Sequence, residues 1–244
     1  EISCSLVGSE MCIRDSYVTK HNYKIMVCIS ENSREKELQY IDLLYSHRVL
    51  GIVVCSHIGE TMEHLDSNCP LISFEREIAE NIPAVLCDNY QGGILAANRL
   101  FDAGCRNIAI FNPPTKENIP AYSREKAFMK CCEDKKISGR VVYTDRLAPL
   151  SEEFGNNILE LLKKNSDLDG IFATSDVMAA NIIRACKKMG KRVPEDISIV
   201  GFDDTWISTL TYPSITTIHQ PVQEMCEYAI DCLLYTSPSP RDCS

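Results

Sequence analysis

V-P-E-D-I-S-I-V-G-F-D-D, residues 193–204, is the stretch whose reading decides the fold. Pro194 starts a turn, because its ring fixes φ and it has no N–H to give to a ladder. Ile197, Ser198, Ile199 and Val200 then read as a short strand that is apolar on both sides. Such a strand belongs in a sheet covered on both faces, the usual condition of parallel sheets. The run stops at Gly201 and Phe202, and two carboxylates follow, Asp203 and Asp204. Open α/β sheets hold ligands beyond the carboxyl ends of their strands, and packing does not readily explain an acidic pair there.

Working outward, short β-rich runs alternate with amphipathic helical patterns. Strands are expected at 24–30, 51–55, 71–74, 84–87, 107–111, 140–143, 170–173 and 197–200. Helices are expected at 34–47, 61–65, from Asp88 or Asn89 to 101, and at 124–135, 152–164, 176–189 and 222–232. Gly104 and Gly190 terminate two of them. The order βαβα implies an α/β protein of two Rossmann-like lobes with parallel sheets. The turn-rich stretch N-P-P-T-K-E-N-I-P, 112–120, is read as the first crossing and 216–220 as the return. The expected division is therefore 17–112 with 218–233 as the N-terminal lobe and 113–217 as the C-terminal lobe.

Two end segments stand apart. Residues 1–16 lack a clear period, and 234–244 place two prolines where a helix should continue. Both resemble strings obtained when sequencing-adapter DNA is translated at a contig end. They are read as artefacts or disordered termini, with the biological protein extending further at both ends.

Composition narrows the function. The net charge of −9 gives the whole chain no electrostatic case for nucleic acid, which a separate basic module would have to supply. The densest basic run, K-K-M-G-K-R at 187–192, complements a helix C-terminus. No apolar run approaches the roughly 20 residues that span a bilayer, and the N-terminus shows no signal-peptide pattern. Thirteen cysteines are scattered, and Cys28, Cys55 and Cys87 lie in apolar runs, so they read as small core residues of a reducing compartment. No C-x-x-C pair occurs, and the five histidines show no ligand spacing, so no metal or cofactor is expected. Nor is there a glycine-rich phosphate loop or a G-x-S-x-G elbow, and an enzyme is not expected.

Several segments, in order over about residues 20–233, resemble the effector domain of LacI-family transcription regulators. G-I-V-V-C-S is similar to that family's G-I-I-L-x-S strand, and L-I-S-F-E-R to its strand ending in an acid-Arg pair. V-L-C-D-N-Y-Q-G-G resembles V-x-x-D-N-Y-x-G-G. G-C-R-N-I-A-I-F and I-F-A-T-S-D-V-M-A-A match further strand entries. V-P-E-D-I-S-I-V-G-F-D-D followed by P-S-I-T-T-I-H-Q-P is the most telling. The resemblance implies a type I periplasmic-binding-protein-like fold, with a small-molecule cleft between lobes and dimerisation on the N-terminal lobe. Operator DNA would be read only through an N-terminal helix-turn-helix not visible here, in a homodimeric, cytoplasmic protein without membrane contact. A second reading on the same fold is an extracytoplasmic solute receptor of a sugar transporter; the unpaired cysteines and the V-P-E-D motif favour the regulator.

The expected ligand residues follow from strand ends and from the resemblance. Asp88, Asp176 and Asp203 follow strands, and a carboxylate accepts from two neighbouring sugar hydroxyls. Asp88 has an alternative reading as a helix cap, and Asp176 as an anion in a first helical turn. Phe74, Tyr122 and Trp206 offer faces for a pyranose or base, with packing the alternative for Trp206. Ser56 closes its strand; Ser175 stands where the family has Asn. In A-Y-S-R-E-K-A-F, Tyr122 takes the first Arg position of the family's A-R-x-R segment and Arg124 the second. These departures point to a neutral sugar or nucleoside-like effector rather than an anionic one.

Overall fold

A computed structural model describes residues 23–30, 33–55, 64, 69–114 and 119–236. The expectations for Ser56 and for most of the helix at 61–65 lie outside these residues. The chain divides into two units. One holds the residues up to Cys87 together with those from Pro221 onward; the other is Asp88–Gln220.

In the first unit, helix α1 (Arg34–Ser46) precedes a parallel sheet of β1 (Ile52–Val54), β2 (Leu71–Phe74) and β3 (Ala84–Val85), in that order. Ser33 caps α1 by accepting from the Lys36 amide at 3.4 Å. Helix α7 (Val222–Thr236) covers β2, and the core joins Ile72 and Phe74 to Met225, Cys226 and Ala229. The apolar run at 24–30 forms no strand, contrary to its composition. Ile25, Met26, Val27 and Ile29 remain exposed, because an extended run needs a ladder partner and none of the described residues provides one.

The second unit is a doubly wound sheet. Its elements are α2 (Asn89–Asp102), β4 (Asn107–Asn112), α3 (Tyr122–Lys135), β5 (Ser138–Tyr143), α4 (Glu152–Lys164), β6 (Gly170–Ala173), α5 (Asp176–Lys188), β7 (Ser198–Asp203), the short α6 (Ile207–Leu210) and β8 (Thr216–His219). The strands are all parallel, in the order β5-β4-β6-β7-β8. Alternate residues of one strand serve opposite faces. Ala109, Phe111, Ile171, Ala173 and Ile199 meet α4 and α5. On the other face Phe128 of α3, Phe172 of β6 and Phe202 of β7 form a row, with ring centroids 5.7 and 6.3 Å apart.

This pairing corrects the expected division. β4 is hydrogen-bonded to both β5 and β6, and α2 packs on α3, so neither belongs to the first unit. The break falls at Cys87/Asp88, not in the loop that follows β4. A turn-rich loop between a strand and a helix of one sheet has the same composition as a crossing between lobes. Likewise β8 is an edge strand of the second unit, and the return comes at Gln220/Pro221.

Four helices end alike. At α2 the Gly104 amide bonds the Phe101 carbonyl, at 2.9 Å, and the Cys105 amide bonds that of Leu100, at 3.1 Å. Gly104, at φ +88°, makes the left-handed step this closure needs, and Gly190, at φ +73°, does so after α5. After α1 and α3 the same step is taken by Arg48 and Lys136, at φ 49° and 55°, where a Cβ is crowded. Lys136→Gly is therefore expected to stabilise the protein by about 1 kcal/mol, and Gly104→Ala to cost a similar amount, in urea unfolding.

Candidate functional site

In the second unit the strand order reverses between β4 and β6, and this is the position where doubly wound sheets leave a crevice beyond their strand ends. Asn112 closes β4, and Thr174 follows β6. Both are tied into the sheet: the Thr174 hydroxyl lies 3.2 Å from both the Phe111 carbonyl and Asn112 Oδ1, and its one proton is shared between the two acceptors.

Above this point lies Arg124, from the first turn of α3, only 8% exposed. Its Nε donates to Asn89 Oδ1 at 2.5 Å and its Nη1 to the Thr174 carbonyl at 3.2 Å. The guanidinium carbon sits 3.5 Å from the centroid of the Phe202 ring, so the charge caps the aromatic row. A desolvated cation over a ring is worth about 2 kcal/mol. The approach depends on Gly92 and Gly93 of α2. A Cβ on Gly92 would stand 2.7 Å from the Phe202 ring, and one on Gly93 would collide with the Arg124 carbonyl.

A second polar group adjoins the first. Glu125, buried, accepts from Asn112 Nδ2 at 3.1 Å and from the Tyr143 hydroxyl at 3.0 Å. That contact pushes the Tyr143 phenol above its ordinary range. Phenol, carboxylate, amide and the Thr174 hydroxyl thus follow one another across the ends of β5, β4 and β6, and the Thr174 carbonyl joins them to the guanidinium.

Asp176 opens α5 and is wholly buried. Its Oδ2 accepts from the Thr205 amide at 2.6 Å and hydroxyl at 3.0 Å; its Oδ1 accepts from the Thr217 hydroxyl at 2.6 Å. Burial raises its pKa, and the three hydrogen bonds partly oppose the rise. The carboxylate clamps α5 to the segment after β7 and to β8. Gly201 makes room for it, since a Cβ there would approach Oδ1 to 2.5 Å. Between these anchors the chain turns through two positive φ values, 101° at Asp203 and 57° at Asp204. Non-glycine residues in such regions cost on the order of 1–3 kcal/mol each and persist only where their surroundings enforce them. Here the Asp204 amide lies 3.3 Å from Thr217 Oγ1 and its carboxylate 2.9 Å from His219 Nδ1.

The sequence-derived residues divide accordingly. Arg124, Tyr122 and Asp203 lie at the strand ends of the second unit, Tyr122 and Asp203 half-buried. Asp88 caps α2, accepting from the Gln91 amide at 2.8 Å, and Ser175 caps α5, accepting from Met178 at 3.2 Å. Asp176 is the buried clamp between α5, the segment after β7 and β8. Phe74 is a correction: at 2% exposure in the core of the first unit beneath α7, it has no face for a ligand. Trp206, before α6, is 65% exposed and neither packs in a core nor joins the Arg124 group. Asn89, Asn112, Glu125, Thr174 and Phe202 were not singled out from the sequence. Asn89, Thr174, Glu125 and Phe202 sit inside the stretches D-N-Y-Q-G-G, I-F-A-T-S-D, A-Y-S-R-E-K-A-F and V-P-E-D-I-S-I-V-G-F-D-D, and Asn112 opens N-P-P-T-K-E-N-I-P, but the local pattern gives none of them a role of its own.

Comparison with known proteins agrees with this architecture. The model of the periplasmic binding protein-like domain matches residues 97–241. The ribose operon repressor of Halalkalibacterium halodurans is 32% identical over 211 residues, covering 86% of this chain and 62% of that protein, so the chain spans about three fifths of this relative's length. A periplasmic binding protein/LacI transcriptional regulator from Alkaliphilus metalliredigens, solved with D-xylulofuranose, is 30% identical, with a TM-score of 0.80 over 96% of this chain and 86% of the other. A LacI-family regulator from Enterococcus faecium, with bound ribose, is 26% identical, with a TM-score of 0.79 over 96% and 86%. The chain belongs to the periplasmic binding protein-like family, in its LacI-regulator branch.

The Asp176 clamp has a pH signature. Its folded pKa lies above the ordinary 3.8, so the folded state holds that proton more tightly than the unfolded state. The resulting stabilisation is full in acid and is lost as pH rises from 3.8 through the folded value. Urea unfolding between about pH 4 and pH 7 should show the wild type losing stability relative to Asp176→Asn. Asp176→Ala, which strands three donors, should cost about 2–4 kcal/mol at neutral pH.

Proposed function

We propose that this chain is the effector-sensing domain of a ligand-responsive transcriptional repressor, and that it binds a small neutral sugar at the strand ends of its second unit. The observation carrying this reading is the buried Arg124 guanidinium, stacked on Phe202 and braced by Asn89 and Thr174. A planar fork of N–H donors beside aromatic and carboxylate side chains suits a ligand that combines hydroxyls with an apolar ring face. Asp203 supplies an acceptor for paired hydroxyls, and Tyr122 a ring face. The relatives support the sugar class, since one is a ribose operon repressor and two solved structures hold D-xylulofuranose and ribose.

In the intact protein, effector binding would shift affinity for operator DNA, which a helix-turn-helix head outside these residues would contact. By linkage, DNA would change effector affinity by the same factor. The regulator would act in the cytoplasm as a homodimer and would catalyse no reaction.

Titration calorimetry against D-ribose, other monosaccharides, disaccharides and nucleosides tests the ligand class. A neutral sugar is expected to bind, and Arg124→Met to weaken it about 100-fold or more, since buried polar partners are left unmatched. Binding only of phosphorylated or carboxylated compounds would overturn the reading.

A further inference from the structure

We propose that Glu125 and Asn112 are positioning residues for the effector site: through Thr174 they fix the orientation in which Arg124 meets a bound sugar. The inference rests on the sugar reading above. Arg124 Nη1 donates to the Thr174 carbonyl. The Thr174 hydroxyl lies 3.2 Å from Asn112 Oδ1, and Asn112 Nδ2 donates to Glu125 Oε2 at 3.1 Å. Glu125 is covalently next to Arg124, so the path is a ring closed by a peptide bond. All its hydrogen bonds are directional. The Glu125 carboxyl oxygen accepts from the amide's Nδ2; that turns Oδ1 toward the Thr174 hydroxyl, where it competes with the Phe111 carbonyl for the one hydroxyl proton. Tyr143 donates to the other carboxylate oxygen and holds it from the β5 side.

A buried carboxylate is a costly way to fill space, and an apolar residue of similar volume often stabilises more. Within the ring, however, the carboxylate sets the amide, the amide sets the Thr174 hydroxyl, and the Thr174 peptide sets the fork of Arg124. Recognition sites need such support to hold a first contact within about 0.5 Å. Asn89 and Phe202 fix where the guanidinium lies; the ring fixes its rotation.

The test uses Glu125→Leu, Asn112→Asp and the double variant Asn112→Asp/Glu125→Gln, which restores the hydrogen bond with donor and acceptor exchanged. Two readouts are taken: solvent exchange of the Arg124 Nη–H protons by nitrogen-15 NMR without ligand, and affinity for D-ribose by calorimetry. In both single variants the Nη–H exchange should speed up and D-ribose should bind about tenfold more weakly, with both restored in the double variant. A control, Phe154→Leu, lowers stability from the opposite face of the sheet and should leave both readouts unchanged. Arg124 Nη–H exchange indifferent to Glu125→Leu, a double variant that restores neither readout, or a control that shifts both would overturn the proposal. A wild type that binds none of the sugars overturns the sugar reading instead, while the exchange measurement still decides the positioning role.

Discussion

The second unit is organised around a charge that has to be kept out of water. Arg124 cannot shed its proton, so its burial is tolerable only if the surroundings replace the lost hydration. Phe202 supplies a ring face, Asn89 a side-chain oxygen and Thr174 a carbonyl. Each comes from a different element: β7, the first residue of α2, and the end of β6. The requirement therefore reaches backwards into packing. The start of α2 must lie against both Phe202 and α3, which is possible only because Gly92 and Gly93 put no Cβ in the way. The glycine pair, the amide before it and the arginine about thirty residues later are parts of one constraint.

Asp176 shows the opposite use of a buried ion. Its oxygens are saturated by Thr205 and Thr217, and it holds α5, β8 and the turn after β7 in register. This clamp flanks the strained pair Asp203–Asp204, whose positive φ values would relax without fixed neighbours. Proximity to a strand end does not by itself mark a carboxylate as free to meet a ligand: Asp176 is held there by three hydrogen bonds from the framework.

The sequence carried the architecture well. Strand β2, helix α4 and strand β6 fall at the positions their periodicity predicts, and glycine marks the ends of α2 and α5 as expected. These features depend on local physics: apolar period, caps, and the steric freedom of glycine. The run at 24–30 failed as a strand although its composition is right, because a strand exists only with a partner. The polar residues at the strand ends were legible in part. Arg124 and Asp203 stood out by motif, whereas Glu125, Asn112 and Tyr143 look like ordinary residues of a helix and two strands.

What the sequence determined alone is the succession of parallel strands and covering helices, the positions of their ends, and the resemblance that names the family. Which carboxylates are spent on the framework, where the chain passes from one unit to the other, and which side chains surround Arg124 were decided only in three dimensions. The physical reason is that periodicity and capping act over a few neighbouring residues. A buried charge is satisfied by groups 35 and 50 positions away in the chain, which only the folded sheet brings within hydrogen-bond reach.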